Sequence, residues 1–306
     1  RAQRVQNFVA VVIGVEFHNQ IGLDACCRCF PRCFRHKPEH IDLIEPVWIV
    51  DSVRHVTGQM LPDVVFGCLH KALGDVVPAE GTSCLWNLYA YGGPGRVEAD
   101  PRSLANAQPF TVLSFHSGGT GARPGKDGLS ATAFPSGVRN VPVEVTEAIS
   151  PIVVWRKEFR QDSGGAGLHR GGLGQTMELG LLEDAPFAFS ALFDRIEHPP
   201  RGRNGGGDGA GGEIRLSSGP PLNGKGTQTI PKGERVTIDM PGGGGLGAPT
   251  ARDAKLVAAD VRAGLVSIAA SSGHWPVTRW FLGWTMENAV RTQSMLISKP
   301  EEIDLG

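Results

Sequence analysis

The chain has 306 residues, of which 30 are lysine or arginine and 31 are aspartate or glutamate, so its formal net charge is -1. This length suggests about one to three domains with their own hydrophobic cores, so the fold need not depend on metals or disulfides. The balanced charge argues against nucleic-acid binding and against attachment to a membrane surface, and no stretch reaches the roughly 18 to 20 apolar residues of a membrane helix.

The first 53 residues are poor in glycine and hold four of the six cysteines, in the string CCRCFPRC, followed by His36 and His40. A zinc finger with two cysteines and two histidines needs about 12 residues between its pairs. Only six residues separate Cys29 from His36. We therefore favour a non-native or disordered segment over a zinc or disulfide site.

For the chain as a whole we expect a cytoplasmic location, with a small molecule or another protein as partner.

The first regular pattern is the string VTGQMLPDVVFGCLHKAL, residues 56–73. It predicts a turn followed by a helix. The residues expected near one face of this helix are Leu61, Val65, Cys68 and Leu69.

Seven later segments favour β-strands, because apolar and polar residues alternate along them. They are PFTVLSFH, VPVEVTE, PIVVWRKEF, TMELGLL, APFAFSALF, EIRL and RVTIDM. Many of the 42 glycines lie in clusters between these segments, which indicates tight turns and close backbone approaches. The pattern predicts an α+β fold, a β-rich mixed domain with Gly-rich loops and a few helices. On the strand VPVEVTE, Glu144 and Glu147 would face opposite sides, which argues against a paired acid and base.

One helix near the end of the pattern can be predicted from its ends. Thr250 and Asp253 have the spacing of a capping box, Val257 and Val261 share a helical face, and Gly264 provides a stop. We expect a helix from about residue 251 to residue 263.

Two glycine-rich strings approach nucleotide-binding motifs. Residues 219–226, GPPLNGKG, match the P-loop spacing up to Lys225, but Gly226 replaces the Ser or Thr that holds magnesium, and Pro231 leaves no room for the following helix. Residues 241–247 match GxGxxG, but the acidic ribose ligand lies on no recognisable second strand. We therefore expect no ATP hydrolysis by this chain alone.

The block FRQDSGGAGLHRGGLG, residues 159–174, carries the main candidate site. Its glycines would allow backbone N–H groups to converge on an anion. Alternatively the block is a scaffold corner in which glycine fits a crowded backbone and Arg170 pairs with a carboxylate. A catalytic triad cannot be inferred, because its members meet through the fold. The candidate catalytic residues are Asp162, Ser163, His169 and Arg170, and the candidate ligand-binding glycines are Gly164, Gly165 and Gly167.

Four further polar residues are candidate ligand-binding residues. Arg123 and Asp127 lie on a glycine loop, and Arg139 and Asn140 precede the VPVEVTE segment. They could contact a phosphate or ligand, or simply solvate turns.

Six strings carry a family resemblance: VTGQMLPDVV, GGTGARPGKDG, NVPVEVTE, DSGGAGLHRGGLG, RGRNGGGDGAGG and MPGGGGLGAPTARDAKLVAADVRAGLVS. In this order they resemble the C-terminal half of the hydantoinase B/5-oxoprolinase family. The resemblance covers residues 54–267. It leaves residues 1–53 as a non-family segment and residues 268–306 as a divergent tail.

The resemblance implies a B-type subunit that works with a hydantoinase A-type subunit, which binds ATP and phosphorylates a carbonyl oxygen of N-methylhydantoin or 5-oxoproline. The B-type part would then assist hydrolysis of this cyclic amide by presenting water and stabilising the oxyanion. A divalent metal is expected with the His/Asp motif of the family's N-terminal half, which this sequence lacks, so no metal ligand is assigned here. The alternatives are a ketone carboxylase subunit of the same family and an inactive fragment.

Overall fold

The computed structural model describes residues 54–83, 85–94, 96–97, 107–132, 134–139 and 141–275. The predictions for residues 1–53, for Asn140 and for the tail beyond residue 275 lie outside these ranges. Within them, no helix is long and apolar enough to cross a membrane.

The fold is α+β, which confirms the predicted class. Its helices are α1 (Arg54–Leu73), α2 (Val143–Ile149), α3 (Ala254–Arg262) and α4 (Ile268–His274). Its strands are β1 (Leu85–Gly92), β2 (Phe110–Ser117), β3 (Ile152–Phe159), β4 (Gln175–Leu181), β5 (Phe187–Leu192), β6 (Glu213–Leu216), β7 (Lys225–Ile230) and β8 (Val236–Asp239).

The strands form two antiparallel sheets of four strands that share one core. The strand order is β2-β1-β5-β7 in the first sheet and β3-β4-β8-β6 in the second. Side chains from both sheets meet in a single apolar cluster, where Trp86 of β1 stacks on Phe193 at 4.2 Å between ring centroids. Burial of such aromatic side chains is a main source of stability for a core of this kind.

Six of the seven predicted strands are confirmed, and two strands escaped prediction. β1 is an inner strand buried over most of its length, so its sequence shows no alternation. β7 is an edge strand with mostly exposed polar residues, so it carries no apolar signal.

The strand predicted for VPVEVTE is wrong, because this segment forms helix α2. Pro142 stands directly before the helix, where its restricted φ suits a helical start, and Thr146 is its one buried residue. On a helix, residues three apart share a side, so Glu144 and Glu147 do not face opposite directions. The Oε1 atom of Glu147 accepts a hydrogen bond from the Val154 amide at 3.0 Å.

Helix α1 also differs from its prediction, since it runs without a turn from residue 54 through Pro62. Two of the residues predicted for its apolar face, Leu61 and Cys68, are exposed. Among residues 58–73 of this helix, the buried residue is Asp63.

Helix α3 begins three residues later than predicted. Its cap is Asp253, whose side chain accepts from the Lys255 amide at 2.9 Å, and Thr250 lies in a preceding 3₁₀ turn. The predicted stop is confirmed at Gly264, which has a φ of 71°, a conformation that favours glycine.

The glycine-rich segments 117–122, 160–174, 200–212 and 241–247 pack against one another, and we call them the glycine layer. Along the last segment the amides donate in turn to three neighbouring parts of the chain, with a repeat of three residues. The amides of Gly242 and Gly245 donate to the carbonyls of Ala210 and Gly207 in segment 200–212. The amides of Gly243 and Leu246, each one residue further on, donate to Gly172 and His169 in segment 160–174. The amide of Gly244 donates to the carbonyl of Glu80. A repeat of three is the geometry of a polyproline II helix, whereas a β-strand repeats every two residues.

Close packing explains why this layer needs glycine. A Cβ atom on Gly171 would lie 1.9 Å from the carbonyl oxygen of Gly243, and one on Gly119 would lie 1.9 Å from that of Gly172. No side chain fits at such distances unless the backbone moves.

Candidate functional site

The predicted block 159–174 lies largely within the glycine layer, and several of its amides are used there. The amide of Gly165 donates to Gly243 at 2.8 Å, and the amide of His169 donates to Leu246 at 3.0 Å. Ser163 is buried; its hydroxyl donates to the Arg160 carbonyl at 2.6 Å and accepts from the Gly174 amide at 2.9 Å. These contacts give the block a structural role, while its catalytic role stays a prediction.

Arg170 is buried and pairs with a carboxylate, as one of the two sequence alternatives has it. Its Nε donates to Oδ2 of Asp260 at 3.2 Å, and another guanidinium nitrogen donates to the Gly171 carbonyl at 2.7 Å. Asp260 is in turn held by Arg252, whose side chain is 1% exposed.

The structure brings together two of the predicted site residues, Asp127 and Arg170. Oδ1 of Asp127 accepts from the Arg170 amide at 2.7 Å, and both carboxylate oxygens of Asp127 accept from Arg252 at 2.8 Å. Burial alone would raise the pKa of Asp127, but the hydrogen bonds and charge of Arg252 outweigh burial and lower it. We call Asp127, Arg170, Arg252 and Asp260 the Arg252 network.

Sequence reasoning missed Arg252 and Asp260, although one signal was present. Asp260 lies three residues after Val257 on the apolar face of α3, and a charged residue there needs a partner when it is buried.

The other predicted residues lie apart from this network or contribute little to it. Arg123 donates to the Asp127 carbonyl at 3.1 Å, whereas Arg139 is exposed. The carbonyl of Gly167 accepts from the indole nitrogen of Trp275 at 3.2 Å.

A second group of charges lies between α1 and the segments around residues 80 and 200, and no sequence motif predicted it. We call it the Asp63 cluster, and its members are Asp63, Glu80, Ser83, Arg195 and Arg201. Arg195 joins the two carboxylates, at 2.8 Å from Asp63 and 3.1 Å from Glu80. Arg201 donates twice to Oε1 of Glu80, at 2.9 and 2.6 Å.

The two carboxylates of the Asp63 cluster have opposite pKa shifts. Burial raises the pKa of Asp63, and the hydrogen bond from Ser83 and the charge of Arg195 offset this only in part. For Glu80, burial alone would raise the pKa, but the hydrogen bonds from Arg201 and the charges of both arginines lower it. Pairs of acidic groups whose pKa values are driven apart are typical of acid-base sites.

Backbone strain also marks the Asp63 cluster. Ser83 has a φ of 53° and Arg195 a φ of 64°, in the left-handed region that such residues rarely adopt. Strained residues of this kind persist where the surroundings hold them, and they concentrate at functional sites. The cluster joins residues more than 100 positions apart, so a reading of local motifs could not find it.

One buried histidine lies between the two sheets and outside both groups. Nε2 of His116 is 2.9 Å from the Ser114 hydroxyl, and Nδ1 has no hydrogen-bond partner among the described residues. Burial and the charge of Lys157 lower the pKa of His116 to about 3, so it is neutral at physiological pH.

Among the described residues, no group of three or more His, Cys, Asp or Glu side chains is arranged to hold a metal ion.

Comparison with known proteins identifies the family. The model of the family Hydantoinase B/oxoprolinase matches residues 46–249, so the chain belongs to this family. An uncharacterized protein of Methanocaldococcus jannaschii is 36% identical over 216 residues, which cover 69% of this chain and 35% of that protein.

Two further matches are to caprolactamase. The caprolactamase subunit beta of Pseudomonas jessenii is 34% identical over 189 residues, which cover 55% of this chain and 31% of that protein. The crystal structure of the ATP-dependent caprolactamase from the same species has a TM-score of 0.55 at 29% identity, covering 66% of this chain and 36% of that chain. The chain thus spans about a third of the length of these relatives.

Proposed function

We propose that the chain is part of the B-type component of an ATP-dependent enzyme that opens cyclic amides of the hydantoin, 5-oxoproline or lactam kind. The observation that carries this proposal is the family match over residues 46–249, a range that contains the Asp63 cluster and the predicted block. The relative named caprolactamase subunit beta supports an enzyme of more than one subunit.

In this proposal ATP binds to a hydantoinase A-type partner. The P-loop-like string of this chain is unsuited to phosphate, because Lys225 begins strand β7 opposite Leu192 and its Nζ lies 2.7 Å from Asp194. A divalent metal, where the enzyme uses one, would belong to the part of the relatives that this chain does not cover.

The Asp63 cluster is suited to acid-base work on a phosphate-activated amide. Hydrolysis requires a base that takes a proton from water and an acid that protonates the leaving nitrogen. The raised pKa of Asp63 favours its protonated form, while Arg195 and Arg201 favour the ionised form of Glu80. The Arg201 side chain is 74% exposed, so it gives the cluster one edge that a charged ligand can reach.

The experiment is to express the intact protein with its A-type partner and to measure ring opening of hydantoin, 5-oxoproline and caprolactam with and without ATP. We expect ATP-dependent opening of at least one ring, and loss of most of this activity in Glu80→Gln. Bicarbonate-dependent carboxylation of a ketone without ring opening would replace the proposal by the carboxylase alternative. Absence of both activities would leave the inactive alternative.

A further inference from the structure

A small cavity lies where helix α2 contacts both β2 and β3, the edge strands of the two sheets. Its volume is about 10 Å³, and most of its lining is apolar. Each of the three elements also contributes at least one polar side chain to the lining, and these are Ser114, His116, Thr146 and Lys157. None of the lining residues belongs to the Asp63 cluster or to the Arg252 network, so this cavity is a separate feature of the fold.

His116 faces the interior of the sandwich with an incomplete set of hydrogen bonds. It pairs across β1 with the core residue Trp86, so its side chain lies on the inner face of the first sheet. Nε2 is satisfied by the Ser114 hydroxyl at 2.9 Å, whereas Nδ1 has no partner among the described residues. A neutral imidazole has one donor and one acceptor nitrogen. In either tautomer one hydrogen bond of this buried ring is therefore unmade, which is rare in native structures.

A bulge in β3 turns Lys157 toward the same space. In a regular strand, residues three apart point to opposite faces. The register of β3 against β4 shifts after Val154, which itself pairs with the core residue Leu179. Beyond the shift, Lys157 pairs with the core residue Met177. Because of the bulge, Val154 and Lys157 both lie on the inner face of the second sheet, and Lys157 lines the cavity.

Lys157 and Thr146 both have hydrogen-bonding capacity to spare. The Lys157 ammonium has three N–H donors, and it donates to the Val141 carbonyl at 2.9 Å. Desolvation lowers the pKa of Lys157, as expected for an amine turned toward an apolar interior. Thr146 is the buried residue of α2, and its hydroxyl makes no hydrogen bond within the described ranges. Three unfilled polar groups from three elements thus surround one small space.

The volume and the polar groups together select the ligand. A buried water needs about 10 to 15 Å³ and two to four polar partners. The cavity provides about 10 Å³, which excludes any larger molecule. Water both donates and accepts, so it completes His116 in either tautomer, whereas the ammonium of Lys157 can only donate. We propose that one ordered water molecule binds in this cavity and bridges Nδ1 of His116 to the Lys157 ammonium and the Thr146 hydroxyl. This water joins the two sheets and holds α2 against them.

The direct test is a crystal structure of the intact protein at a resolution that shows ordered water. We expect one water peak within about 3.2 Å of Nδ1 of His116, of Nζ of Lys157 and of the Thr146 hydroxyl. The peak should be lost in His116→Phe, which fills a similar shape without ring nitrogens. An empty cavity, or a direct hydrogen bond between Nδ1 and a protein group, would overturn the proposal.

A double-mutant cycle tests the bridge in solution. Thr146→Val keeps the shape of the side chain but removes the hydroxyl, and it should lower the melting temperature of the intact protein by about 2 to 4 °C. In a His116→Phe background the same substitution should have a much smaller effect, because the water is already absent. Lys157→Met is a second background, so the result does not depend on the folding of His116→Phe.

The control for this cycle is Thr229→Val, which removes an exposed hydroxyl from β7. It should change the melting temperature by the same amount in the wild type and in both backgrounds. An equal effect of Thr146→Val in all three proteins would show that Thr146 shares no water with His116 or Lys157, and the proposed bridge would then be wrong.

Discussion

The hydroxyl of Ser83 donates a hydrogen bond to Oδ2 of Asp63 at 2.5 Å, and both residues are buried. This bond is the largest of the interactions that oppose the effect of burial on the pKa of Asp63. The Ser83 bond therefore lowers the pKa of Asp63, although burial still keeps that pKa above its usual value.

Replacement of Ser83 by alanine should raise the pKa of Asp63 further. Because the pKa of Asp63 is raised in the folded state, the protonated form stabilises the fold, and this stability is lost as the pH rises through the folded pKa. We expect the free energy of unfolding of Ser83→Ala to fall over a range that extends to higher pH than in the wild type, as measured by urea unfolding from pH 4 upward. Ser217→Ala, which removes an exposed hydrogen bond to Glu234, is the control. Identical pH profiles of Ser83→Ala and the wild type would contradict the pairing.

For Asp127 we expect the contribution to the free energy of unfolding to depend on pH in the opposite direction. Its pKa is lowered in the folded state, so it contributes stability above its unfolded pKa of about 4, and this contribution is lost as the pH falls through the folded pKa. Asp127→Asn should lower the free energy of unfolding by about 1 to 3 kcal/mol at pH 7, because buried Arg252 loses its charged partner. The difference from the wild type should shrink below about pH 4, and a constant difference at all pH values would refute the assignment.

The glycine layer predicts a strong effect of a single methyl group. Gly171→Ala places Cβ at 1.9 Å from the Gly243 carbonyl oxygen, so the protein should be strongly destabilised or fail to fold. Gly273→Ala is the control, because nothing lies within 4 Å of its Cβ position and the residue is in helix α4. It should be neutral or stabilise by about 0.5 to 1 kcal/mol. Similar melting temperatures for the two variants would show that the close packing is incorrect.

A substitution at Arg170 distinguishes the two interpretations of residues 159–174, an anion-binding site and a structural corner. Lysine keeps the charge but cannot reproduce the contacts of Arg170 with both Asp260 and the Gly171 carbonyl. We expect Arg170→Lys to lower the melting temperature and to leave turnover per folded molecule unchanged in the reconstituted enzyme. A fall in turnover per folded molecule, accompanied by the same fall in Gly165→Val, would instead support anion binding by the block.

Local patterns predicted the sheets well where one strand face is buried, as in β2, whose residues alternate between buried and exposed. Alternation of apolar and polar residues gave a wrong prediction where a segment with this pattern forms a helix. In the segment that forms α2, Val143 and Val145 flank Glu144 as in a strand, but the preceding proline starts a helix. The Asp63 cluster could not be predicted, because it joins charged residues from distant parts of the chain. For the Arg252 network, the sequence offered a carboxylate partner for Arg170 as one alternative and a charged residue, Asp260, on the apolar face of α3, but not the contact of Arg252 with Asp127, which are 125 positions apart. Only the fold decides which arginine meets which carboxylate.

The glycine layer also has a consequence for the order of folding. Segment 241–247 is the last of the four along the chain, yet it accepts or donates hydrogen bonds with each of the other three. Contacts between parts so far apart in sequence close large loops, which is slow. During synthesis the earlier segments remain without these partners until residue 247 has left the ribosome. The layer therefore forms late and as a unit, and its amides should be among the slowest to exchange with deuterium once it has formed.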